Sequence, residues 1–268
     1  MMRDLPIYLT MMLAAIRAKM EYRVTFLFLF FALVTFYLGQ LGTVLVVIDR
    51  FGSINGWTLG EMAFLYGLMV FSQSITTFFF ASLVNFEGLI MQGGFDRYLL
   101  RPLDPLPQLI ASQFEVSSIA HLVIGVSALV YGAAGTDIAW SAGKVAFFFV
   151  VVAGAVMIQG GVRLGVSAIC FWTMRNRSLV HILVFSSKEF ILYPVSIFNY
   201  WIQVFLTLVF PLAFVNFYPS HVFLNRDASN LLFSPLIQYA TPVAGVVFFS
   251  LAYLLWRAGI NHYQSTGS

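Results

Sequence analysis

Charge is what this sequence has least of. Asp, Glu, Lys and Arg together make up 9% of its 268 residues, whereas a soluble domain carries about 25%, because its surface must face water. That shortage excludes a soluble globular protein, since no single core could take in 29 Phe and leave so little polar surface. A single cysteine, Cys170, excludes an internal disulfide, and its apolar setting is that of a small buried hydrophobe. Four His and one Cys, widely separated, offer no metal-ligand cluster. No Gly-x-x-x-x-Gly-Lys-Ser/Thr loop is present, so nothing in the chain can cradle nucleotide phosphates in the P-loop manner. Despite a net charge of +3 the basic residues form no long patch, which argues against nucleic acid as a partner. No cleavable leader is expected either. The apolar run after Arg17 to Arg23 ends without a small-residue cleavage site and reads as a retained span.

What the sequence does have is long apolar runs. A hydrocarbon core about 30 Å thick needs roughly 20 helical residues at about 1.5 Å each. Residues 24–48, 59–84, 109–131, 145–171 and 231–256 meet that need. Before them, residues 8–21 place Met11, Met12, Ala15 and Ile16 beside Arg17 and Lys19, a pattern suited to a helix lying along the cytoplasmic interface. Residues 179–217 are apolar but broken by Pro194 and Pro211. They read either as a short fifth span, 179–195, followed by a re-entrant segment over 200–217, or as an interface helix followed by a span over 199–217.

The basic residues choose between topologies. With six spans, Arg3, Arg17, Lys19, Arg23, Arg97, Arg101, Arg175, Arg177 and Arg257 fall on one side, and Arg50, Lys144 and Arg226 on the other. The positive-inside rule makes the first side cytoplasmic. Seven spans would send Arg257 and the tail outside and leave the turn at 193–199 without a basic anchor. The expected fold class is all-α: a polytopic membrane protein forming a single transmembrane domain over 1–268, with six transmembrane helices and both termini cytoplasmic.

One connection stands apart. Residues 85–107 carry Glu87, Asp96, Arg97, Arg101 and Asp104, a Gly93-Gly94 pair and three prolines, too polar to span and too long for a minimal hairpin. A short amphipathic helix over 91–100 would present Phe95, Tyr98 and Leu99 for docking, with Arg97 and Arg101 on one face. Pro102 and Pro105 would end it. The plainer reading is a positive-inside loop whose arginines meet anionic headgroups.

Charges inside the apolar runs are the other candidates, because an unpaired charge at that depth is costly. Arg163 lies well within the fourth run, either on a translocation path or at a dimer centre, or else paired with Glu115 or Glu61. Lys188 and Glu189 point about 100° apart on one helix and each needs its own partner. Glu115 and His121, six residues apart, do not share a face well, and a lone His among apolar residues is expected to be structural. Gly154, Gly160, Gly161 and Gly165 give the fourth run a smooth strip for close helix packing, expected within the chain. Trp57, Trp140, Trp172 and Trp256 fall near run ends, where interfacial anchors belong.

Several stretches together resemble a known family. Phe95-Asp96-Arg97-Tyr98-Leu99-Leu100-Arg101-Pro102-Leu103-Asp104-Pro105-Leu106 looks like the first large cytoplasmic loop of permease subunits of ABC-2 type ABC transporters, in a bacterial subgroup of about 260 residues. Tyr193-Pro194-Val195-Ser196-Ile197-Phe198 and Phe210-Pro211-Leu212-Ala213-Phe214 resemble the segment after that group's fifth helix, and Tyr263-Gln264-Ser265-Thr266-Gly267-Ser268 resembles its ending. The resemblance implies a permease that is not catalytic alone, working as an exporter in the bacterial cell membrane. It implies a homodimer or heterodimer driven by separate cytoplasmic ABC ATPase subunits, which hold ATP and Mg, while this chain holds no cofactor. It makes Phe95, Arg97, Tyr98, Leu99 and Arg101 a coupling interface. Two rivals remain at this point. An ion-coupled secondary transporter would suit Arg163 and the broken 194–211 stretch, but no repeated halves are visible. A membrane scaffold or assembly protein would need no ATPase. The sequence names no substrate.

Overall fold

The computed structural model describes residues 5–21, 23–115, 117–229 and 231–264. Arg3 and the terminal Ser265-Thr266-Gly267-Ser268 lie outside the described residues. Within them every regular element is helical, without strands. Helix α1 spans Leu5–Met20, α2 Arg23–Phe51 and α3 Leu59–Val84. The 85–107 connection holds α4 (Phe86–Met91) and the single turn α5 (Asp96–Leu99), and leads into α6 (Pro105–Ser112). Helices α7 (Ser117–Ala134) and α8 (Ala142–Thr173) follow. A helical run over 177–191, here α9, has a wide π-type middle at Val180–Ser186. Tyr200–Val209 (α10) and Leu212–Phe223 (α11) meet at an 80° bend. The last helix, α12, is Thr241–His262.

Among the described residues five helices are long and apolar enough to cross a membrane, α2, α3, α7, α8 and α12, or six if the bent pair counts as one span. The chain is an all-α polytopic membrane protein. Helix α3 is its centre: 67% of its apolar window is buried, against 18% for α2. Both of its main seams use small residues. Gly67 and Gly125 bring the α3 and α7 backbones together, where a Cβ would sit 2.6 Å from a neighbouring backbone nitrogen. Helices α8 and α12 cross the same way at Gly154 and Gly245, and Gly161 lies against Phe248 and Phe249. The glycine strip therefore packs within the chain, as close helix approach requires.

Hydrogen bonds trace the path after α8. Asn176 and Arg177 donate their backbone N–H groups to Glu87, at the α4 end of the bundle. By Ser196 the chain has reached Asn55, at the opposite end. So 177–196 climbs the whole bundle, although its helical part, at about 1.5 Å per residue, covers only about 23 Å. The bent pair begins and ends at the far end and dips between. Phe210 at its tip packs with Val162, Val166, Val180 and Val184. A pair bent in this way is either a broken span or a re-entrant loop, and Asn216 secures it by donating to the Ile191 and Leu65 carbonyls.

Two expected boundaries move. The run 109–131 is cut at Gln113, which is extended (φ −133°, ψ 137°). Its first residues belong to α6, which starts at an Asp104 cap and Pro105 and buries Leu106 and Leu109. The run 231–256 gives way to a single 3-10 turn at Pro235–Tyr239, so α12 begins only at Thr241 and continues past Trp256. In both cases apolar composition carried on across a break in the backbone, at extended Gln113 in the first and beside Pro235 and Pro242 in the second. The tryptophan expectation is half corrected. Trp140 and Trp172 are exposed, but Trp57 and Trp256 are buried in aromatic contacts.

Candidate translocation cavity and coupling loop

A polar stripe runs down the seam between α3 and α8. Gln159, Arg163 and Ser167 are spaced by four, so they share one face of α8. Gln159 donates to the Ser72 hydroxyl at 2.7 Å, Arg163 Nη2 to the Thr77 hydroxyl at 3.0 Å, and Ser167 to the Leu83 carbonyl at 2.7 Å. Ser72, Thr77 and Ser167 are buried, and Arg163 is only 4% exposed. Neither pairing expected for Arg163 forms. Glu61 is at the far end of α3, held by Arg226 at 2.6 Å and by Thr58 in a capping box. Glu115 makes no ion pair with Arg163 among the described residues. A helix hydroxyl one seam away takes that place, and the other guanidinium nitrogen, Nη1, is buried without a hydrogen-bond partner.

Arg163 opens onto a cavity of about 590 Å³ walled by α2, α3, α7 and α9. Glu115, Lys188 and Glu189 line the same cavity, so the structure brings together all four charged residues singled out in the apolar runs. His121 joins them despite its offset from Glu115 along the helix, and stacks edge-on to Tyr37 at 5.2 Å. Adjacent in sequence, Lys188 and Glu189 do find separate partners. Glu189 accepts from Gln40 on α2 at 3.1 Å, and the Lys188 ammonium sits 5.3 Å from the centre of the Phe185 ring. The π-type turns of α9 and the non-helical Phe80 in α3 (φ −111°) both lie at this level. Such irregularities are frequent at functional sites.

The 85–107 connection has a different construction. One amphipathic helix over 91–100 does not form. Gly93 takes φ +65°, a left-handed turn that a side chain resists, and separates α4 from the single turn α5. Phe95 is a correction: far from being presented for docking, it is fully buried. Its ring packs against Phe86, Phe171 and Tyr263 at 5.2–5.5 Å. Tyr98 is half-buried, while Arg97, Leu99, Leu100 and Arg101 are exposed. Arg101 lies beyond the end of α5, yet it shares a groove with Arg97, Tyr98 and residues Met11, Ala14 and Ala15 of α1. The half-buried stripe of α1 is Tyr8, Met11, Met12, Ala15 and Ile16, facing this loop end.

Three polar ties hold the connection down. Gln108 donates to the Tyr98 and Leu103 carbonyls, and the Tyr263 hydroxyl donates to Asp96 at 2.9 Å. Burial, and then the neighbouring Asp96 carboxylate, push the Tyr263 phenol up to about 12. The third tie is Glu87, whose Oε2 accepts both the Asn176 and Arg177 N–H groups at 2.6 Å. It fastens α4 to the foot of α9, and α9 carries Lys188 and Glu189.

The sequence profile of the ABC-2 family transporter proteins matches residues 29–267. The chain belongs to the ABC-2 transporter family. No curated protein and no solved structure matches it. As an ABC-2 protein it is the membrane component of an ABC transporter, and the connection between α3 and α6 is the loop whose residues resemble that family's first large cytoplasmic loop. Sequence reasoning missed Thr77, Gln159 and Glu87. The four-residue spacing of Gln159, Arg163 and Ser167 was a readable signal for Gln159, whereas Thr77 meets Arg163 from 86 positions away. Glu87 had none, since its partners are backbone groups 89 and 90 residues away.

Proposed function

We propose that the chain is the permease of an ATP-driven exporter, with both termini in the cytoplasm and its power taken from separate ATPase subunits through the 85–107 loop. It works as a dimer, either of two copies or with a second permease, in a bacterial cell membrane. The observation that carries this reading is an exposed ridge on an anchored base. Leu100 is 84% exposed beside Arg97, Leu99 and Arg101, while Phe95 beneath them is fixed in the aromatic cluster. A solvated loop would have no use for such an anchor. Apolar and arginine side chains on a rigid base are the composition of a protein docking surface.

The charge sorting supports the orientation. Arg97, Arg101, Arg175 and Arg177 gather at the α4 end, whereas Arg226 and Lys144 are bound at the other, Lys144 through Phe223 and Asn225. Force on the loop has a route inward: through Glu87 to the foot of α9, and along α9 to the cavity wall. Export is the direction the family resemblance implies, and ATP and Mg belong to the partner.

The test is co-reconstitution with ATPases encoded beside this chain. One of them should bind, and its ATPase rate in lipid vesicles should change severalfold when the permease is present. Leu100→Asp combined with Arg101→Glu should abolish that change while leaving insertion intact. A neighbouring ATPase that binds equally well to the double variant would return the loop to a topology signal, and absence of binding by any of them would sink the mechanism.

A further inference from the structure

The polar cavity does not end at its own wall. A second cavity of about 520 Å³ continues toward the far end of the bundle, along α2, α3 and α7. The order along α3 and α7 agrees: Met69 to Val84 of α3 line the polar cavity and Leu59 to Tyr66 the second, while α7 contributes Ser117 and His121 to the first and Val123 to Tyr131 to the second. Leu192 lines both. Tyr37 and Tyr66, rings 6.4 Å apart, stand at the junction.

The two cavities differ in chemistry. The second has almost nothing polar to offer: its Ser127 hydroxyl is spent on the Val123 carbonyl, and Tyr66 donates to the Tyr37 carbonyl. The first has Arg163 Nη1 buried and unpartnered, with Lys188 nearby on the same wall. A guanidinium presents a planar fork of donors suited to carboxylate or phosphate oxygens. A buried charge with an unused donor, facing a cavity inside a membrane domain, marks a ligand path. The charges of the cavity also limit the ligand. Glu115 is half-buried and Glu189 exposed and held by Gln40, so two cations are balanced by two rim acids. Repulsion from these two acids grows with the charge of the ligand, so a single negative charge is favoured over a multiple one. Exposed Phe36 and Phe185 on the polar cavity, and exposed Leu38 and Tyr131 on the apolar one, leave both open sideways, toward hydrocarbon.

We propose that the two cavities form one site for an amphiphile with a single anionic head, a carboxylate or a phosphodiester bound by Arg163 and Lys188, whose chain occupies the apolar cavity. The assignment gives the permease reading its substrate class, and it rests on that reading for transport but not for binding. An inorganic anion would not use the apolar cavity, and an uncharged lipid would leave Arg163 unsatisfied.

Binding to the full-length chain in neutral detergent, followed by native mass spectrometry, tests it. Palmitate is compared with hexadecanol, and phosphatidylglycerol with a diacylglycerol of the same chains. The charged member of each pair should bind at least tenfold more tightly, and the stronger of the two charged arms identifies a water-borne or a bilayer source. Acetate and dimethyl phosphate, heads without chains, should not bind at millimolar concentration. Arg163→Gln should erase the charge preference, and Ser127→Phe, at an exposed position lining the apolar cavity, should weaken long-chain binding severalfold. Lys188→Gln carries the same comparison if the Arg163 variant does not fold, with a loss of about threefold or more. Equal binding of charged and uncharged partners, an unchanged preference in the Arg163 variant, or acetate binding as tightly as palmitate would each overturn the site. An ATPase partner that couples without any such binding would remove the site and leave the permease reading in place.

Discussion

The two ends of the helix bundle are fastened by opposite means. At the α4 end the core of the fixing is apolar, with the Glu87, Gln108 and Tyr263 ties around it: Phe86, Phe95, Phe171 and Trp256 form a buried cluster with ring centres as close as 5.0 Å. At the other end it is ionic and polar. Arg226 lies 4.2 Å over the Trp57 ring, bonds Glu61 at 2.6 Å and reaches the Gly56 carbonyl, beside a cavity of about 440 Å³ against the bent pair α10 and α11. Aromatic packing resists displacement and does not depend on salt, whereas a partly exposed ion pair is weakened by it. The difference suits a machine that receives force at one end and opens at the other. Under the proposed function, a loop that transmits a push must not yield, and the end where the path opens must.

The largest expected effect strikes the rigid end. Phe95→Ala removes a ring from a fully buried site, a change that costs about 3–5 kcal/mol. It should lower the thermal stability of the chain in lipid far more than Leu100→Asp, five residues away and exposed. If the two variants melted alike, Phe95 would not be the anchor of the loop. The corresponding break at the far end is Arg226→Gln, which leaves Glu61 with only its capping role. Its side chain is 25% exposed and that of Glu61 14%, so a smaller loss of about 1–2 kcal/mol is expected. High salt should shrink that loss but leave the Phe95 loss unchanged, as measured by melting at low and high ionic strength.

Glu87→Gln sharpens the comparison in another way, because it separates stability from coupling. The amide oxygen can still accept a hydrogen bond, so melting should shift little. The charge that draws two N–H groups to one oxygen is gone, and charge-assisted bonds are roughly twice as strong as neutral ones. With the partner ATPase bound, ATP hydrolysis should continue while transport falls several-fold. Transport that kept pace with hydrolysis would take Glu87 out of the force route.

How much of this was legible in the sequence follows from the range of each signal. Runs of apolar residues placed α2, α3 and α8, because a membrane-length run needs no knowledge of its neighbours. The break at Gln113 and the late start of α12 were hidden by apolar residues on both sides of a turn. In the site, cost alone singled out Arg163, Glu115, Lys188 and Glu189, and they do share a cavity. Their partners were not legible: the Arg163–Thr77 and Arg226–Glu61 contacts join residues 86 and 165 positions apart. Phe95 was misread for a related reason. A four-residue helical turn has no periodicity long enough to tell its buried side from its exposed one.

The smallest expected effect tests how tightly the chain's last described residues are tied to the loop. Tyr263 is held neutral by burial and by Asp96, its phenol raised from the ordinary value of 10.0 to about 12. A group whose folded value is raised contributes its stability in full below the unfolded value and loses it as pH rises through the folded one. The Asp96–Tyr263 tie should therefore be intact at neutral pH and fade between about pH 10 and 12. Tyr263→Phe removes the hydroxyl but keeps the ring against Phe95, so at pH 7 the loss should be about 1 kcal/mol or less. Above pH 10 the variant should fall behind no further, while the parent chain converges on it. Ultraviolet titration of the difference between the two chains reads the phenol directly, and an ionisation near 10 would mean that the tail is not docked on the loop.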